Sequence, residues 1–149
     1  TLQSILDCAS VARTAKVIAD GGFKKSGDIV KALAAGADFV VLGSMLAGTD
    51  ESPGDVLKKD GKLYKKYRGM ASEEAQLDWR GRCSVSEGIC ATVPYRGKLS
   101  AVLGEIEGGV RSGFSYSGAR NIGELRARAR FLKQTASAQM ESNTHILYR

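Results

Sequence analysis

Histidine is nearly missing from this sequence: among 149 residues, His145 is the only one. That argues against a His-based metal site and removes the commonest general base of enzyme catalysis. Cysteine is scarce as well. Cys8, Cys83 and Cys90 are odd in number and follow no metal-ligand spacing, which points to reduced thiols in a cytoplasmic protein. No apolar run approaches the ~20 residues of a membrane span. The longest, Ala32 to Leu46, is broken by Gly36, Asp38, Gly43 and Ser44. Signal peptide, internal repeat and low-complexity segment are all absent. An initiator Met is absent too, and a helix-like pattern (Leu2, Ile5, Leu6, Ala9, Val11) is already under way at Thr1, as expected of a fragment that starts in mid-fold.

Acidic residues are fewer than basic ones, 16 against 22, for a net charge of +6. Much of the excess lies in Lys58-Lys59, in Lys65-Lys66-Tyr67-Arg68 and between Arg126 and Arg130. Such clusters suit a solvated face, a phosphate-bearing small ligand or an acidic neighbouring subunit. Nucleic acid is disfavoured, because the aromatic and basic residues form no known binding motif. Hydrophobic residues at 43% and charged residues at 26% are ordinary for a globular chain of one domain, or of part of a larger one.

What is present is organised around residues 17–44, VIADGGFKKSGDIVKALAAGADFVVLGS. Lys16 to Ala19 reads as a buried parallel strand that stops at Asp20-Gly21-Gly22. Ser26 can cap a helix that buries Ile29, Val30 and Leu33 and ends at Gly36. Phe39 to Leu42 is a second buried strand, stopping at Gly43-Ser44. The unit is βαβ. Asp60-Gly61 then predicts a tight hairpin between Val56-Leu57 and Leu63-Tyr64. Ala71 to Gly88 is polar, with one short helix over Ser72 to Trp79. Residues 92–97 read as extended. Leu99, Val102, Leu103, Ile106 and Val110 mark a helix through Arg111 that Gly113 should stop. Asn121 caps another helix to about Ala129, and Gln134 to Arg149 reads as an extended tail. Two buried parallel strands need neighbours on both edges, and no other segment here supplies them.

Glycine at a strand-to-helix turn lets backbone N–H groups approach a phosphate closely. In (β/α)8 barrels the loops after the last two strands are a recurrent phosphate site. Asp20 could accept hydrogen bonds from ribose hydroxyls, as acidic residues do in other nucleotide sites. A mere tight turn is the alternative for Asp-Gly-Gly.

Four blocks, in order, carry a resemblance: DGGFKKSGDIVKALAAGADFVVLGSMLAGTDESPG, GKLYKKYRGMAS, EGICATVPYRGKLS and GGVRSGFSYSGARNIGELR. Together they resemble the inosine-monophosphate dehydrogenase and guanosine-monophosphate reductase family over nearly the whole chain. The resemblance implies an α/β fold: the C-terminal portion of a (β/α)8 TIM barrel, strands seven and eight, with an inserted flap hairpin and loop. Residues 1–54 would hold those strands and their helices, 55–98 the flap hairpin and loop, and 99–149 the closing helices and tail. It implies a purine nucleoside 5′-monophosphate as substrate, NAD or NADP as cofactor, a homotetramer and, in dehydrogenases, a monovalent cation such as K+. Asp20 would hold the ribose hydroxyls. Gly22, Gly43 and Ser44, with Gly21 in the same turn, would bind the 5′-phosphate, and Tyr67 would add a hydroxyl to it. Gly69, Met70 and Ala71 would lie along the purine. Glu87, followed by Gly88, would read the purine edge. Glu141, Ser142 and Asn143 resemble a subunit-bridging segment that contributes to the cation site. Tyr67 as a packed hairpin tyrosine, Met70 as core and Glu87 as a solvated acid are the plain alternatives.

The family's nucleophilic cysteine lies on the loop after strand six, before Thr1, and none of the three cysteines here replaces it. The missing N-terminal part of the barrel would have to supply it, so this chain alone should be inactive. Between Met70 and Glu87 the sequence lacks the Arg-Tyr pair with which the dehydrogenases activate water, which favours the reductase. The blocks LAGTDESPGD, VPYRGKLS and GGVRSG resemble bacterial dehydrogenases instead. The reductase is the preferred expectation and the dehydrogenase the alternative. A non-catalytic phosphate-binding or assembly module is a further one, and a basic nucleic-acid-binding fragment the least favoured.

Overall fold

The first helix, α1 (Leu2–Val11), keeps the apolar spacing of its sequence and buries Ile5. The computed structural model describes residues 1–85, 88 and 90–142. Strand β1 (Ile18–Asp20), helix α2 (Ser26–Ala34) and strand β2 (Phe39–Val41) form the expected βαβ unit, the strands pairing in parallel with Ile18 opposite Phe39 and Asp20 opposite Val41. The strands are not buried on both faces, contrary to expectation. Ala19 and its partner Val40 face the core, whereas Ile18 is 58%, Phe39 59% and Val41 45% exposed. The physical reason is that helices cover only one side of this ladder, and a parallel sheet needs cover on both.

Helix α4 (Leu99–Tyr116) lies against α2 and buries Val102 and Ile106. Gly113 does not stop it. The helix runs three residues further, because Gly109 and Gly113 are where α2 comes closest. A methyl group on Gly113 would meet the Val30 side chain at 2.6 Å, and one on Gly109 would meet Ser26 Oγ at 2.4 Å. Ser26 is thereby the first helical residue rather than the cap. Lys25 takes the cap position, and the Asp28 carboxylate accepts the Lys24 and Lys25 N–H groups at 3.1 and 3.2 Å.

The other end of α2 is closed by a distant residue. Helix α5 (Ile122–Arg128), capped by Asn121 as expected, buries Leu125 and brings Arg126 to the Leu33, Gly36 and Ala37 carbonyls at 3.2, 3.1 and 2.9 Å. The same guanidinium pairs with Asp38, whose second oxygen accepts the Val17 N–H at 3.0 Å. That N–H chiefly, and Arg126 after it, hold the Asp38 carboxyl below the ordinary aspartate range, against the opposing effect of desolvation.

A second sheet stands apart from this core. Strands β3 (Val56–Lys59) and β4 (Lys62–Arg68) make the expected hairpin, with Asp60 and Gly61 at φ 50° and 75°. The extended segment becomes a third strand, β5 (Cys90–Pro94), paired antiparallel along β4 from Tyr64–Pro94 to Arg68–Cys90. Helix α3 (Glu73–Arg80) lies in the connection between them, capped by Ser72 Oγ on the Ala75 N–H. The tail is not wholly extended: Thr135 caps helix α6 (Ala136–Glu141). Among the described residues no helix is long and apolar enough to cross a membrane.

Candidate functional site

Parallel pairing aligns the carboxyl ends of β1 and β2, so the turns after Asp20 and Val41 open on the same edge. Gly21 and Gly22 sit at φ 81° and 83°, a backbone that L side chains rarely adopt, with buried Phe23 anchoring the turn from behind. Asp20, Gly21, Gly22, Gly43 and Ser44 are all exposed.

The second sheet reaches this edge through β4. A methyl group on Gly43 would sit 3.5 Å from the Tyr67 hydroxyl, which places that hydroxyl beside the second turn. Gly43, Tyr67 and Met70 then line one cavity of about 580 Å³ with Leu46, Ser52 and Glu74. Met70 is 73% exposed, so it is not core. Ser44 faces a neighbouring recess with Lys24 and Arg96, and Gly21 and Gly22 border a third, beside Thr1 and Ile5. The structure thus gathers Gly43, Tyr67 and Met70 around one space, while Ser44 and the pair Gly21 and Gly22 line separate recesses and Asp20 is exposed at the end of β1.

The connection between β4 and β5 is tied at the Ala71 carbonyl. That carbonyl accepts the Gly88 N–H at 3.0 Å and the Gln76 side-chain amide at 3.0 Å. Gln76, buried, also donates to the Val85 carbonyl at 2.6 Å and accepts the Ser84 N–H at 3.4 Å. Gly69 adjoins this turn through its carbonyl, which accepts the Ser72 N–H at 2.9 Å. Glu87 lies outside the described residues, as does Asn143. Ser142, just past α6, donates to the Gln139 carbonyl at 2.9 Å, and Glu141 is the last residue of that helix. Among the described residues no group of three or more His, Cys, Asp or Glu could hold a metal ion. Cys8, Cys83 and Cys90 are free thiols, on α1, in the flap loop and on β5.

Contacts between the two sheets run through residues 43–55. Arg96 N–H donates to the Gly48 carbonyl and Asp50 N–H to the Gly97 carbonyl, both at 2.8 Å. Glu51 accepts the Leu99 N–H at 2.8 Å and so caps α4 from a distance. Tyr95 donates its hydroxyl to the Asp50 carboxylate, which raises the Tyr95 pKa above the ordinary tyrosine value. The basic clusters divide. Lys66 and Arg68 make exposed pairs with Glu74 and Asp78, but Lys65 is buried and Arg126 closes α2. Sequence reasoning placed Lys65 in a basic cluster without expecting its burial, and passed over Gln76. For Lys65 a signal existed, since it shares a strand face with Tyr67. For Gln76 there was none.

A family model described as the IMP dehydrogenase / GMP reductase domain matches residues 1–145. A GMP reductase from Leishmania major is 47% identical over 97% of this chain and 32% of its own length. An inosine-5′-monophosphate dehydrogenase from Aquifex aeolicus is 48% identical over the same 97% of this chain and 32% of its own. Among solved structures, a GMP reductase variant from Trypanosoma brucei in complex with guanosine 5′-monophosphate superposes with a TM-score of 0.89 at 48% identity, covering 97% of this chain and 31% of that one. The chain therefore spans about a third of the length of the relatives it matches.

Proposed function

Because the chain belongs to the IMP dehydrogenase / GMP reductase family, we propose that it is the nucleotide-holding part of a purine-nucleotide oxidoreductase. The observation that carries this reading is the Tyr67 hydroxyl beside Gly43. Two elements far apart in sequence converge there on one exposed glycine turn. The likeness to a structure that holds guanosine 5′-monophosphate supports a purine nucleotide as the ligand.

In this reading β1 and β2 are the last two strands of a (β/α)8 barrel. Their open faces at Ile18, Phe39 and Val41 are covered by strands from outside this chain. Backbone amides of Gly21, Gly22 and Gly43, with the Ser44 and Tyr67 hydroxyls, hold the 5′-phosphate without spending a formal charge. Asp20 accepts the ribose hydroxyls, and Gly69, Met70 and Ala71 line the purine. Glu87, next to Gly88, reads the purine edge. A cavity of about 580 Å³ is within the range of small-molecule sites.

The preferred reaction is reductive deamination of GMP to IMP and ammonia with NADPH. The alternative is oxidation of IMP to XMP with NAD and water, favoured by relatives of that name at equal identity. The nucleophilic cysteine comes from outside these residues, as do the contacts to the nicotinamide cofactor that exchanges the hydride. The Ser142 hydroxyl, which donates to Gln139, keeps its lone pairs for a monovalent cation beside Glu141 and Asn143. Exposed Leu132 and Met140 suit subunit contacts in a tetramer.

The test is a nicotinamide absorbance assay on a full-length protein containing this chain. NADPH consumption with GMP supports the reductase, and NADH formation with IMP and NAD supports the dehydrogenase. Neither activity, together with no calorimetric binding of either nucleotide, sinks the enzyme reading.

A further inference from the structure

Among the described residues Lys65 is the only charged one that is buried, at 3% exposure, and its ammonium pairs with no carboxylate there. Its ammonium points into a cage of three backbone carbonyls: Thr49 at 2.7 Å, Asp50 at 3.3 Å and Ser52. Three N–H donors meet three acceptors, which satisfies a lysine fully without a counter-ion. The cage belongs to the segment that follows β2, while Lys65 belongs to β4, the central strand of the other sheet.

Two residues further along β4, on the same face, stands Tyr67. The contacts close into a ring. The Gly43 carbonyl accepts the Ala47 N–H at 3.1 Å, the Leu46 carbonyl accepts both the N–H and hydroxyl of Thr49, the Thr49 carbonyl accepts Lys65, and the Tyr67 hydroxyl lies 3.5 Å from where a Gly43 methyl group would be. Backbone bonds join the sheet to this segment at its two ends, Lys66 N–H to the Asp55 carbonyl at 3.3 Å and Arg96 N–H to the Gly48 carbonyl at 2.8 Å, but neither lies on the Tyr67 face of β4. The ammonium fixes its height.

We propose that Lys65 is a positioning residue: it clamps β4 onto the segment after β2 and thereby sets the Tyr67 hydroxyl over the Gly43 turn. This rests on the reading of that turn as a phosphate site. The role is distinct from phosphate binding, because the carbonyl cage occupies the ammonium and turns its charge away from the ligand.

The experiment uses full-length protein with fluorotyrosine at position 67, in the parent and in Lys65→Met. Lys65→Gln, which retains a donor, is carried alongside and supplies the same readings if Lys65→Met does not fold. Lys65→Met should shift and broaden the fluorine resonance. It should weaken GMP about tenfold, the scale of a lost hydrogen bond to a charged group, and leave guanosine, which lacks the phosphate, unchanged. Combined with Tyr67→Phe it should weaken GMP no further than Tyr67→Phe does alone. An unmoved resonance, a parallel loss of GMP and guanosine, or additive losses overturns the proposal. If Tyr67→Phe leaves GMP affinity unchanged, the phosphate reading of Tyr67 falls instead, and the fluorine resonance alone decides whether Lys65 places that ring.

Discussion

The two sheets of this molecule are held in opposite ways. The β1–β2 ladder is short, but α2 packs against it, α4 and α5 pack against α2, and together they bury Ala19, Ile29, Ala32, Val102, Ile106 and Leu125. The β3–β4–β5 sheet has longer ladders and almost no buried apolar side chain. It is fixed by single polar residues placed at backbone carbonyls, Lys65 above all, with Gln76 doing the same for the flap. Hydrophobic contact is non-directional and shared among many atoms, so it yields a rigid platform. A polar pin acts at one point and leaves the rest of its element free to move. The glycine turns stand on the first kind of construction and Tyr67 on the second.

Breaking the platform should have the largest effect. Leu125→Ala removes a side chain that is 1% exposed, and it should lower the free energy of global unfolding by about 3 kcal/mol, read by denaturant titration. Next comes Arg126→Met, which strips the donors from the end of α2; a loss of about 2 kcal/mol is expected from the same titration. Its partner adds a pH signature. Asp38 titrates lower in the folded chain than unfolded, so its contribution is complete above the ordinary aspartate range and fades as the pH falls through the depressed folded value. Asp38→Asn should therefore flatten the acid limb of the stability curve without steepening it anywhere.

The smallest effect on global stability belongs to the cover. Gln76→Leu frees the Val85 carbonyl and the Ser84 N–H at the flap, so trypsin should cut faster after Arg80 and Arg82 while the thermal midpoint barely moves. If Gln76→Leu lowers the midpoint as far as Leu125→Ala, the two regions unfold as one unit and the contrast between them fails.

Legibility followed the same division. The βαβ unit, the Asp60-Gly61 hairpin and the Asn121 cap were readable because each is set by residues close in sequence. Gly113 misled, since its local meaning as a stop is overridden by the Val30 side chain across the helix pair. The strand β5 was seen only as extended, because its identity as a strand depends on β4 being there to pair with it. The turns Asp20-Gly21-Gly22 and Gly43-Ser44 were legible in the local order of residues, each closing an apolar run. That Tyr67 stands beside the second of them, at a separation of more than twenty residues, could be expected only through the resemblance to a family.

By itself the sequence determined the secondary elements whose signals are local, the placing of glycines at two strand ends and the family to which the blocks belong. Only the tertiary structure decided which cations are solvated and which are internal. Lys65 and Lys66 are neighbours with the same side chain, yet one is caged by carbonyls and the other lies at the surface in an ion pair with Glu74. The pleat of β4 sends them to opposite faces, and the carbonyl cage that waits for Lys65 is built by a segment more than ten residues away.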